Sequence, residues 1–273
     1  MRKVLTFTLT AGIVLALATG CSDHSDSGTP SAQAPGVPSA SPSVPASPAP
    51  SPSVSVSAGP TPTPTVSTPP PAPQKLKVGD KGAAVVALQK RLNELGYWNG
   101  AADGKFGGTT QQAVFALQKT AGIGRDGTVG PKTQKALDAG VRPTAKSAAS
   151  SGYLVEINLA KQILMFVDDG RVIATLNTST GSNRHYVYQG ETFLADTPTG
   201  HFQVGRQIDG MRHGPLGDLF RPKYFNGGIA VHGSPSIPPY PASHGCARVS
   251  DAAINWIWST DKLPLKTRVW VYA

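Results

Sequence analysis

The alternation of apolar and polar positions changes character several times along the chain. Val4 to Ala18 is mostly apolar and follows Arg2-Lys3. It is too short and too close to the terminus to read as a permanent membrane span. Between 76 and 139, Val85, Leu88, Leu92 and Leu95, then Ala113, Val114 and Leu117, recur at helical spacing and predict a small helical unit. From residue 153 the period shortens. Tyr153-Leu-Val-Glu-Ile-Asn158, Gln162-Ile-Leu-Met-Phe-Val167 and Arg171-Val-Ile-Ala-Thr-Leu176 read as strands, with Asp168-Asp-Gly170 as a hairpin turn between the last two. Gly228-Ile-Ala-Val-His232 reads as a buried strand, and Arg268-Val-Trp-Val-Tyr272 closes the set. Ser250-Asp251-Ala-Ala-Ile-Asn-Trp-Ile-Trp258 has the form of an N-capped helix. Its Trp256 and Trp258 fall on different faces, so only one need enter a core; Tyr240 is expected to pack. The Gly-rich stretch 206–227, with Met211, Phe220 and Tyr224, reads as a lid.

The helical unit contains a repeat. Leu88-Gln-Lys precedes Asp103-Gly-Lys-Phe-Gly-Gly-Thr-Thr110, and Leu117-Gln-Lys precedes Asp126-Gly-Thr-Val-Gly-Pro-Lys-Thr133. Each Asp-Gly-x-x-Gly-x-x-Thr predicts a tight turn leading into a helix, which gives three helices in all. Asp103 and Asp126 are expected to form turns rather than bind calcium.

Composition separates these units. Ser27 to Gln74 has no charged residue, and 15 of the 25 prolines lie between Cys21 and Gln74. Such a segment cannot build a core; it spans from about 40 Å as a flexible coil to about 150 Å as polyproline. The predicted organisation is a leader at 1–20, a linker at 21–74, a helical module at 75–140, a connector at 141–151 and a mainly β domain at 152–273. The formal charge of +9 favours anionic surfaces such as wall polymers. Nucleic acid would satisfy the charge too, but export and the lack of a clustered basic stripe argue against it. Arg2-Lys3, the apolar run and Leu17-Ala-Thr-Gly-Cys21 together resemble a bacterial lipoprotein signal, with Ala18 where a leucine is usual. This implies a lipid anchor at Cys21 on the outer face of the cell membrane. Pairing Cys21 with Cys246 would consume both thiols, so neither is expected in a disulfide.

The chemistry concentrates in His232-Gly-Ser-Pro-Ser-Ile-Pro-Pro-Tyr-Pro-Ala-Ser-His244-Gly-Cys246-Ala-Arg248. The Pro-rich segment must loop back from a strand end and deliver a thiol to a histidine. Positive charge on His232, His244 or Arg248 would lower the thiol pKa, and the amides of a glycine turn can face an oxyanion.

At these residues the chain resembles the L,D-transpeptidase catalytic domain of bacterial peptidoglycan enzymes: a histidine, a variable loop, then Ser-His-Gly-Cys and an arginine two positions on. Asp196-Thr-Pro-Thr-Gly-His-Phe202 and Tyr224-Phe-Asn-Gly-Gly228 resemble further segments of that family. The resemblance implies a β-sandwich with Cys246 as acyl-accepting nucleophile, His232 as proton acceptor and the Gly233 carbonyl orienting it. It also implies oxyanion amides at His244, Gly245 and Cys246, and support or substrate contact from Ser243, Arg248 and Tyr224. Neither cofactor nor metal is implied; stem peptides and glycan are the expected partners, and carbapenem β-lactams the expected inhibitors. The helical unit resembles the peptidoglycan-binding module in its Leu-Gln, Gly96-Tyr97 and Asp103-Gly104-x-Phe106-Gly107 landmarks, with Leu117 where that family has phenylalanine. The fold class expected is thus multidomain, a mainly β catalytic domain plus a small all-α three-helix module.

Rival readings stay open. A zinc peptidase could draw on Cys246, His232, His244, His201 and His213, and His244 and Asp251 have one zinc-peptidase spacing, although no Glu-x-His occurs. A carboxypeptidase on the same stems, or a catalytically silent wall-binding lipoprotein, would carry similar sequence.

Overall fold

The computed structural model describes residues 75–147 and 151–273, which belong to one compact unit. The expected leader, the expected lipidation residue Cys21 and the Pro-rich segment lie outside the described residues.

The helical module consists of α1 (Ala83–Glu94), α2 (Gly108–Ala121) and α3 (Pro131–Asp138) around a core of Val85, Leu92, Tyr97, Phe106, Leu117 and Leu137. The repeat has a structural cause. Gln89 Nε2 donates to Asp103 Oδ1 (2.8 Å) and Thr110 Oγ1 (3.0 Å), while its Oε1 accepts from Gly104 N–H (2.8 Å). Gln118 repeats the pattern with Asp126 (2.7 Å), Thr133 (3.0 Å) and Gly127 (3.0 Å). Each Leu-Gln thus pins the Asp-Gly turn that follows it, and both aspartates serve as turn formers.

The β domain is a sandwich. One sheet has the order β3 (Arg171–Asn177), β2 (Ile163–Asp168), β1 (Tyr153–Asn158), β12 (Arg268–Tyr272) and β6 (Gly200–Gln203). The second has β11 (Ala247–Ser250), β10 (Ile229–Ser234), β9 (Leu219–Asn226) and β7 (Arg206–Gln207), with β8 (Met211–Arg212) also on β9. A separate hairpin joins β4 (His185–Tyr188) to β5 (Glu191–Leu194). The core between the sheets takes Val155, Ile157, Phe166 and Val271 from one side and Val231, Ala247 and Val249 from the other, closed by Ile254 and Ile257 of α4 (Asp251–Ser259). Ser250 caps α4, its Oγ accepting from Ala253 N–H at 3.2 Å.

The β1 strand is buried on both faces, which explains its near-continuous apolar run. Its one charge, Glu156, is fully buried and accepts hydrogen bonds from Lys146 N–H, Ser147 N–H, Ser147 Oγ and Tyr272 Oη. The connecting segment 141–147 is therefore packed onto the sandwich. The two tryptophans do occupy different faces: Trp256 stacks on Trp98 of the module (5.2 Å between ring centroids), and Trp258 Nε1 donates to Arg221 O. Tyr240 departs from expectation; it is 60% exposed and does not pack.

Candidate active site

Two neighbouring parallel strands build the site. The β10–β11 register sets Val231 beside Ala247 and His232 beside Arg248. Val231, Ala247 and Val249 point into the core, so alternation turns His232, Cys246 and Arg248 to the opposite face. There they line a cavity of about 630 Å³. The Pro-rich loop does what its sequence predicted: it leaves the end of β10 and returns the thiol to the start of β11.

Glycine is required at two points. A Cβ on Gly233 would come within 2.6 Å of Ile254 Cγ2 and 2.7 Å of Asp251 Oδ1, so α4 packs directly on this backbone. Gly245 has φ 141°, which side chains rarely adopt, and a Cβ there would meet Asp196 O at 2.7 Å.

His232 is 4% exposed, and its Nδ1 lies 2.8 Å from the Gly233 carbonyl. A carbonyl only accepts, so Nδ1 carries the proton and Nε2 is left as the base. Burial draws the His232 pKa down to about 4, against the opposing effect of that hydrogen bond and with help from the Arg248 charge. Burial pushes the Cys246 thiol up, only partly offset by the Ala230 N–H and by Arg248. This corrects the expectation of a thiol acidified by surrounding cations: at neutral pH the imidazole is uncharged. Cys246 Sγ accepts from Ala230 N–H (3.4 Å) and faces Gly228 O (3.8 Å). Among the described residues it makes no hydrogen bond to His232.

The turn before the thiol is tightly held. Ser243 Oγ accepts from Gly245 N–H (3.0 Å) and donates to Cys246 O (2.6 Å). The Gly245 amide is thus engaged, which removes it from the three expected oxyanion donors. Those of His244 and Cys246 have no protein partner among the described residues. Arg248 joins the turn to Asn177–Ser182: its N–H donates to Ser179 O, and its carbonyl accepts from Ser179 N–H and Thr178 Oγ1.

Other expectations divide. His244 lines the cavity, is exposed and meets the Tyr186 ring edge-on at 4.7 Å. Tyr224 does not reach the cavity; it is buried under the Arg206 guanidinium, 3.6 Å from its ring centroid. Only residues 214–219 of the expected lid line the cavity, because 219–226 is committed to β9. His201 stacks on Trp270 and His213 pairs with Asp218, so neither joins Cys246. Among the described residues, no three His, Cys, Asp or Glu side chains gather as a metal site.

Two contributors were missed. The β4–β5 hairpin supplies Tyr186 and Leu194 to the cavity wall; its signal was Gln189-Gly190, both at positive φ, between two short strand-like runs. Thr197 is the second, donating to the Gly245 carbonyl (2.6 Å) and accepting from Gly181 N–H (2.9 Å).

Comparison with known proteins agrees with this division. Residues 152–271 match the L,D-transpeptidase catalytic domain family (YkuD), and residues 81–137 match a peptidoglycan-binding domain family. The crystal structure of the L,D-transpeptidase (residues 123–326) from Xylanimonas cellulosilytica is 57% identical, with a TM-score of 0.71, and the match covers 74% of this chain and 100% of that one. The chain belongs to the L,D-transpeptidase family. It is also 48% identical over 79 residues to the N-acetylmuramoyl-L-alanine amidase CwlL of Bacillus licheniformis, a match to 28% of this chain and 22% of the amidase. A match to the amidase CwlM of Mycobacterium tuberculosis, 41% over 56 residues, covers 20% of this chain and 14% of that protein. This L,D-transpeptidase-family chain thus spans less than a quarter of either amidase.

Proposed function

We propose that the protein is a cysteine-dependent L,D-transpeptidase that forms 3-3 cross-links in peptidoglycan. The observation that carries this reading is the shared face of β10 and β11, where a buried neutral His232 and Cys246 line one cavity. The Cys246 thiol attacks the carbonyl carbon between the third stem residue and the terminal D-Ala, and its proton passes to His232 Nε2. The amides of His244 and Cys246 hold the developing oxyanion. As the C–N bond breaks, His232 returns the proton to the departing D-Ala amine, leaving a thioester. An amine of a neighbouring stem then attacks the thioester, loses a proton through His232 and regenerates the thiol.

Because the resting pair is neutral, His232 acts as a general base rather than as half of a preformed ion pair. The cavity's solvent-facing wall of Leu194 and Leu216, 47% and 40% exposed, gives the stem an apolar surface to lie on. Carbapenems are proposed to acylate the same thiol. The proposed setting is the cell wall, with a lipid anchor at Cys21, the 21–74 segment as a spacer and the module holding the enzyme to its polymer.

Intact-protein mass spectrometry during incubation with disaccharide-tetrapeptide tests the first step. The expected adduct is disaccharide-tripeptide on Cys246, formed with loss of D-Ala. Turnover with the cysteine unmodified throughout would contradict it.

A further inference from the structure

Lys119 belongs to α2 of the peptidoglycan-binding module, yet its amine ends inside the catalytic domain. The residue is 2% exposed, and Nζ donates to Gln162 O (2.8 Å), Thr178 O (2.9 Å) and Asn177 Oδ1. None of these oxygens is a carboxylate, so the contact is not an ion pair. Burial and the Arg125 charge draw the Lys119 pKa down to about 6, and in either protonation state the amine offers at least two N–H donors. Two more module residues reach the same region. Gln112 Oε1 accepts from Asn177 Nδ2 (2.5 Å), and Arg125 Nη1 donates to Pro239 O (3.1 Å) in the loop between His232 and Cys246.

Two of the acceptors of Lys119, Asn177 and Thr178, start a segment that brackets the catalytic turn. Thr178 Oγ1 donates to Arg248 O (2.8 Å), and Ser179 Oγ donates to Tyr240 O (2.8 Å). Thr180 O accepts from the N–H groups of Ala242 and Ser243, and Ser182 N–H donates to Ser243 O (2.9 Å). Gln162, whose carbonyl Lys119 holds, pairs with Thr180 through both its amide atoms. One amine from the module therefore anchors the strip on which both ends of Ser243–Arg248 are hung.

We propose that Lys119, supported by Gln112, is a positioning residue for the turn that carries Cys246, so that the wall-binding module is part of the catalytic apparatus as well as an anchor. Without the amine, Asn177 Oδ1 and Thr178 O lose their donor at the module boundary, Gln162 O keeps only the Thr178 N–H (3.2 Å), and the strip can relax by the fraction of an ångström to which acyl transfer is sensitive.

The inference rests on Cys246 being the nucleophile. The test compares the full chain with Lys119→Met and Gln112→Ala on disaccharide-tetrapeptide, with kcat and KM separated, folded fraction followed by circular dichroism and module function by binding to isolated sacculi. The expected result is kcat lowered about tenfold or more in Lys119→Met, with KM within about twofold and sacculus binding unchanged; Gln112→Ala gives a smaller fall in kcat at an unchanged melting temperature. Wild-type kcat in folded Lys119→Met, or a fall only in proportion to its folded fraction, overturns the proposal. If Lys119→Met does not fold, Gln112→Ala decides alone, and wild-type kcat there overturns it. Full turnover by Cys246→Ala would instead remove the nucleophile reading, a failure distinguishable from the first.

Discussion

Thr197 Oγ1 donates a 2.6 Å hydrogen bond to the carbonyl of Gly245, the residue before Cys246, and accepts one from Gly181 N–H. Thr197 is buried, and it joins the segment after β5 to the turn before Cys246 across a gap too narrow for any side chain at residue 181 or 245. Thr197→Val keeps the shape and removes both bonds. It is expected to destabilise the fold by about 1–3 kcal/mol and to slow acylation about tenfold, whereas Thr197→Ser retains both properties. Chemical denaturation and single-turnover kinetics on the pair check this.

Gly233→Ala places a methyl group against Ile254, Asp251 and Phe220. Overpacking of this kind costs about 1–3 kcal/mol, and here it also displaces the carbonyl that orients His232. A lower denaturation midpoint with loss of activity is expected. Gly205→Ala, with open space around its Cβ, should leave the midpoint unchanged.

The pH dependence follows from burial. The folded-state pKa of His232 lies near 4, below its ordinary 6.5, so the native state binds fewer protons between those values. The stability contributed by the neutral imidazole is therefore complete above about pH 6.5 and lost as pH falls toward 4, on the order of 3 kcal/mol in all. The acid limb of the rate profile should fall near pH 4, not 6.5. Cys246 moves the other way, its thiol held above the ordinary value of 9.0. Alkylation of the unliganded enzyme by iodoacetamide should still be rising at pH 9; a plateau below pH 7 would mean that a preformed thiolate exists.

Tyr224 packs beneath Arg206 outside the cavity. Tyr224→Phe preserves the ring and is expected to change kcat/KM by less than about twofold. A tenfold rise in KM would restore its expected contact with substrate.

What could be read from the sequence was whatever local pattern determines. The short apolar runs of β1 and β2, the Ser250 cap and the two Asp-Gly turns are set by near neighbours, and they appear where the pattern put them. His232 and Cys246 were found together because one loop connects adjacent parallel strands. The remainder depends on long-range packing. Nothing near Tyr224 in sequence reveals that Arg206 covers it, and the loss of the Gly245 amide to Ser243 depends on the exact fold of one turn. Lys119 stands in the Leu117-Gln-Lys repeat with no local sign of burial; only the docking of the module buries it. The thiol pKa was misjudged for the same reason, since charge was visible in the motif and desolvation was not.

Cysteine-dependent cross-linking is tested most directly by mass spectrometry of the products formed from disaccharide-tetrapeptide by the full chain and by Cys246→Ala. The expected product is a dimer cross-linked between two third-position residues, with one D-Ala lost per cross-link, and the variant gives no product. Cross-linked dimer from Cys246→Ala would contradict it, as would tripeptide alone from the unaltered enzyme, which would make the protein a carboxypeptidase.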